Sequence, residues 1–155
     1  MAFTRVEFED WIFAVDRDLT EKAYENRKYG GAEGCKCDDC KNYIACRENI
    51  FPKIVKDLFQ SLGIDYRKEV ETMVWDVEQD NLRNISGWFH FKGEIISGKN
   101  CKEVLPSGGS TLELTQITEG FSIGFTYGKD LTFFTDKLNL VQVEFMSVMP
   151  IVLYI

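Results

Sequence analysis

Met73-Val74-Trp75-Asp76-Val77-Glu78, then a polar run over residues 79–84, then Ile85-Ser86-Gly87-Trp88-Phe89-His90-Phe91: this stretch decides the fold. Met73, Trp75 and Val77 alternate with Val74, Asp76 and Glu78. A repeat of two belongs to a strand, whose successive side chains point to opposite faces. Two such runs across a polar loop predict a hairpin, with the second strand extending over residues 85–96.

On the N-terminal side the period is that of a helix. Phe51, Ile54, Val55, Leu58 and Leu62 make one apolar stripe, Pro52 suits a first helical turn, and Gly63 is a natural stop. A short helix from Asp65 to about Val70 is expected next. Earlier, Asp18 with Glu21 three residues on reads as a capping box opening a helix to about Arg27, ended by Gly30-Gly31. Another helix is expected from Asp39 to about Glu48, capped by Asp38 or Asp39. Val6, Phe8, Ile12, Phe13 and Val15 predict one or two opening strands.

Beyond the hairpin the chain reads as further strands. Residues 99–110 are expected to form a loop. Leu112 and Leu114 then pair with Phe121, Ile123, Phe125 and Tyr127 around Glu119-Gly120, Val141, Val143 and Phe145 mark a late strand, and residues 151–155 a last one. Helices early and hairpin-linked strands late predict an α+β fold, with N-terminal helices packed on a mainly antiparallel sheet. Neither an internal repeat nor a long linker divides the chain, so residues 1–155 are expected to form a single domain.

Composition bounds the partners. With 45% hydrophobic residues and 12 Phe, the chain has material for a real core. Its 18 basic and 25 acidic residues leave a formal net charge of -7, which repels phosphate backbones and anionic lipid. Nucleic acid and membranes are therefore not expected as partners; a basic protein or a cation is compatible. Arg5, Glu7, Glu9 and Asp10 interrupt the apolar run an export signal needs. A cytoplasmic location with five mostly reduced cysteines is expected.

The chemistry is concentrated in Gly34-Cys35-Lys36-Cys37-Asp38-Asp39-Cys40. Cys37 and Cys40 have the spacing that lets two sulfurs reach one zinc ion, and Cys35 adds a third. If the following helix starts here, the positive end of its dipole favours the thiolates that bind metal. Cys46, six residues further along a helix, turns to a different face. His90, Cys101 and water remain for the fourth position. Two rival readings stand beside zinc. One is a metal-free acidic interaction protein, such as an immunity or regulatory partner. The other is a thiol redox enzyme using Cys37 and Cys40, although Asp38 and Asp39 between them oppose thiolate formation. No nucleophile–base pair is legible, so the sequence leans away from an enzyme.

The strings Gly34-Cys35-x-Cys37-x-x-Cys40-x-Asn42-Tyr43, Phe51-Pro52, Leu62-Gly63-Ile64-Asp65 and Gly87-Trp88-Phe89-His90-Phe91 together resemble a group of small, uncharacterised bacterial proteins. The resemblance spans roughly the middle of the chain and carries no activity. It implies that Cys35, Cys37, Cys40, Asn42 and His90 belong to one pattern, and that Cys46 and Cys101 lie outside it. His90 is the expected fourth ligand, because a neutral imidazole fills the position that three thiolates leave on zinc without adding charge. Asn42 is expected beside the site, bonding a sulfur or closing the loop.

Overall fold

Strand β1 (Thr4–Phe8) and strand β2 (Trp11–Val15) form the opening hairpin, with Val6, Phe8, Trp11, Phe13 and Val15 buried. The coordinates are a computed structural model and describe residues 3–79 and 81–153. Helix α1 (Arg17–Glu25) follows β2 with no intervening loop. The Asp16 N–H is still bonded to the Lys92 carbonyl at 2.8 Å, so the helix has to start at once. Its cap is accordingly Asp16, whose carboxylate accepts the Leu19 N–H at 3.1 Å. The expected cap, Asp18, falls in the first turn, and Glu21 pairs with Arg17 at 2.8 Å instead of closing a capping box.

Helix α2 (Gly31–Gly34) is a single turn that leads into the cysteine-bearing segment. Helix α3 (Asp38–Ile50) and helix α4 (Lys53–Leu62) complete the helical half. Pro52 and Gly63 bound α4 as expected, Gly63 at φ 86° where a side chain would be strained. Phe59 takes the inward place on α4 and Ile54 is exposed. The expected helix after Asp65 is a turn: the Asp65 carboxylate accepts the Arg67 N–H at 3.0 Å, and such local bonds compete with helix.

Strands β3 (Glu71–Gln79) and β4 (Leu82–Ser97) are the hairpin expected from the period, paired from Glu71 with Trp88 to Gln79 with Leu82. They are followed by β5 (Lys102–Val104), β6 (Ser110–Leu112), β7 (Thr115–Thr118), β8 (Phe121–Tyr127) and β9 (Leu140–Pro150). The expected 99–110 loop thus carries a small β5–β6 hairpin. The main sheet runs β1-β2-β4-β9-β8-β7, with β3 also on β4, and every pairing is antiparallel. The chain is an α+β fold. Residues 151–153 form no strand; Tyr154 and Ile155, the rest of that expectation, lie outside the described residues.

Strand β4 organises the whole. One edge pairs with β9 over residues 82–92, and the other pairs with β3 near its start and β2 near its end. Ile85, Phe89 and Phe91 face the helices, where Phe89 meets Phe59 at 4.8 Å between ring centroids and Phe51 meets Phe145 at 4.9 Å. Such edge-to-face aromatic pairs add to the burial that holds the layers together. Among the described residues no helix is long and apolar enough to cross a membrane.

Candidate metal centre

The cysteine loop is held from both sides by one buried carboxylate. Glu69 is fully buried, and its Oε1 accepts the Ala32 N–H of α2 at 3.0 Å. Its backbone carbonyl accepts the Gly31 N–H at 2.8 Å. From α3, Arg47 Nη1 reaches Glu69 at 3.4 Å, Glu33 at 3.1 Å and the Arg67 carbonyl at 2.8 Å. The two helices flanking Cys35–Cys40 are therefore clamped to the same point. Gly31 is required there by close approach: a Cβ would lie 2.5 Å from the Val70 carbonyl oxygen.

Within the clamp the three sulfurs converge. Cys35 ends α2 in an extended conformation, and Cys37 is the N-cap of α3. The Cys37 sulfur accepts the Cys40 N–H at 3.4 Å, the bond that an Asp or Ser oxygen makes in an ordinary cap. Asp38 and Asp39, the expected caps, lie in the first turn. The Cys35 sulfur accepts the Cys37 N–H at 3.5 Å. Cys35 Sγ and Cys37 Sγ are 3.2 Å apart, and all three sulfurs lie within 4.8 Å of one another. Tetrahedral zinc with bonds of about 2.3 Å needs sulfurs about 3.8 Å apart, which those limits bracket. All three are free thiols.

Their electrostatics differ. Hydrogen bonds from Cys37, backbone first, hold the exposed Cys35 thiol below its ordinary pKa. Burial, and after it the neighbouring Cys37 and Cys35 sulfurs, push the Cys40 thiol far above its own. Burial and the crowding of the sulfurs thus favour the neutral Cys40 thiol, and a cation among the three would reverse that preference.

His90 is not brought to this cluster. The β4–β9 register is unbroken from residue 82 to 92, so His90 points to the face opposite Ile85, while Ile85 and Val74 border the cysteines. His90 Nε2 lies 3.0 Å from Gln142 Oε1. The Gln142 amide donates to Glu144 at 2.7 Å, and its Oε1 accepts from Asp130 N–H at 3.4 Å. That oxygen is an acceptor, so the network assigns the imidazole proton to Nε2 and leaves buried Nδ1 without a partner. Burial lowers the His90 pKa to about 4.

Asn42 bonds no sulfur either. Its Nδ2 donates to the Pro150 carbonyl at 2.9 Å, and its Oδ1 accepts the N–H groups of Val152 at 2.8 Å and Leu153 at 3.2 Å. It ties the end of β9 to α3. Cys46 packs in the core as expected, its sulfur 3.7 Å from the Tyr43 carbonyl. Cys101 is buried near β8, its N–H bonded to the Phe125 carbonyl at 2.9 Å, and burial raises its pKa to about 11.

Beside the sulfurs lies a cleft of about 180 Å³, bordered by Asp39, by residues 71–74 of β3 and by Ile85. Among the described residues, no carboxylate or imidazole joins the three sulfurs within 4.8 Å of them all. Glu69, Arg47 and the cleft wall of β3 were not legible as parts of this site: they are distant in sequence, and only the fold brings them to the loop. Comparison of the chain with protein-family models, with curated proteins and with solved structures finds no match.

Proposed function

We propose that this chain is a zinc-binding protein whose ion is held by Cys35, Cys37 and Cys40. The observation that carries this reading is the convergence of three sulfurs, two of which accept backbone N–H bonds from within the loop. Such bonds stabilise the thiolate form that a metal requires. Thiolate sulfur suits zinc among the common divalent ions, and a clamped loop at a helix start presents it with little rearrangement. The motif shared with the small bacterial group is, on this reading, the metal loop, with Asn42 and His90 serving the fold around it.

The test is elemental analysis of protein purified under reducing conditions with zinc supplied. One zinc per chain is expected, lost in Cys35→Ser, Cys37→Ser and Cys40→Ser and kept in Cys46→Ser and His90→Gln. Metal-free wild type under those conditions rules the reading out.

A further inference from the structure

Zinc held by three thiolates has a fourth position to fill, and the described residues leave it to something outside the site. Asp39 and Glu71 border the cleft, yet neither carboxylate lies within 4.8 Å of all three sulfurs. Glu71 Oε1 instead accepts the Thr72 N–H at 3.2 Å. Structural zinc sites are closed by four protein ligands, whereas sites that react or exchange keep a position open.

The site is also peripheral to what holds the molecule together. Cys35 and Cys37 are exposed, and Cys40 only packs on the margin of the aromatic core built from α3, α4 and the sheet. The loop's position comes from the Glu69–Arg47 clamp, which contains no sulfur. An ion here is not needed to keep the helices on the sheet.

We infer, building on the zinc reading above, that this is a transfer site: zinc enters and leaves by exchange with an incoming thiolate that binds at the cleft. In the step, an incoming thiol gives its proton to solvent, and its sulfur forms a fourth Zn–S bond as the water held in that position leaves. The bond from zinc to one of the two exposed cysteines, Cys35 or Cys37, then breaks, water re-enters the vacated position, and that sulfur takes up a proton. Repetition at the other two sulfurs moves the ion to the acceptor. Each exchange breaks one Zn–S bond for each one formed, and no electrons are transferred. The wall formed by Met73, Val74 and Ile85 suits a sulfur donor, which is less strongly hydrated than a carboxylate.

Zinc-loaded protein mixed with glutathione, with 4-(2-pyridylazo)resorcinol reporting the zinc released, tests this directly. The release rate is expected to rise in proportion to glutathione, and the zinc-free protein is expected to keep its circular dichroism and dispersed NMR spectrum. A rate independent of glutathione, or a zinc-free chain that unfolds, overturns the transfer role and leaves the binding site standing. A chain that never loads zinc overturns both. Replacing glutathione by a Cys-x-x-Cys peptide at equal thiol concentration separates the sources: faster release assigns the acceptor to a protein, equal rates to small thiols. Glu71→Gln removes a charge beside the sulfurs and should change zinc affinity by less than about tenfold; a larger drop would make Glu71 a ligand and close the site.

Discussion

The Tyr24 hydroxyl does for His90 what a neighbouring strand would do: it donates to the His90 carbonyl at 3.0 Å and accepts the His90 N–H at 2.9 Å. Strand β2 leaves the edge of β4 after Val15 and β3 joins it only near Trp88, so the residues between face α1. Thr20 closes the same gap by accepting the Lys92 N–H at 2.9 Å. A buried backbone group left without a partner is costly, and two side chains of one helix turn prevent it here.

Tyr24→Phe removes both bonds to His90 and keeps the ring. Leaving a buried donor and acceptor unmade should cost about 2–4 kcal/mol in urea unfolding at neutral pH. A loss below about 0.5 kcal/mol would mean that water or a strand shift replaces the hydroxyl.

His90 makes stability depend on pH in a definite direction. Burial lowers its folded pKa to about 4, while the unfolded side chain titrates near 6.5, so between those values the unfolded state binds more protons. Protonation would place a second N–H on Nδ1, which has no acceptor. Stability should be indifferent to this group above pH 6.5 and fall as the pH drops from 6.5 through 4, by roughly 3 kcal/mol in all. Denaturant titrations of wild type and His90→Gln across that window check it; equal slopes would remove the histidine as their cause.

Removing one partner of the Glu69–Arg47 clamp should be far worse than removing an exposed ion pair. Arg47→Met leaves a fully buried carboxylate without its cation, at about 3–5 kcal/mol. Lys53→Met, breaking the exposed pair with Asp57, should cost no more than about 0.5 kcal/mol. Zinc affinity of Arg47→Met, measured below its melting point, should also fall, because the clamp sets both arms of the loop.

Asn42→Ala should destabilise the chain by about 1–3 kcal/mol by freeing the end of β9, while zinc content stays at wild-type level. Loss of zinc from a folded Asn42→Ala protein would instead return Asn42 to the sulfurs.

Local signals in the sequence are more legible than spatial ones. The period-2 runs after Met73 and the apolar stripe before Gly63 report on neighbours a few residues away, and both elements stand where they were expected. The cluster of three sulfurs was legible for the same reason, since six residues of chain confine them. The surroundings of His90 and Asn42 are not legible in this way, because they depend on partners far along the chain, Gln142 and Pro150. A period of two puts His90 opposite Phe89 and Phe91, but it does not say which face the cysteine loop approaches. Asp18 lost the cap to Asp16 because the strand register, invisible in sequence, fixed where β2 ends.

X-ray absorption at the zinc edge of the loaded wild-type protein tests the central claim most directly. The account predicts three sulfurs at about 2.3 Å and one oxygen or nitrogen at about 2.0 Å, without the outer-shell scattering of an imidazole. Fewer than three sulfurs, or a clear imidazole signature, would contradict it.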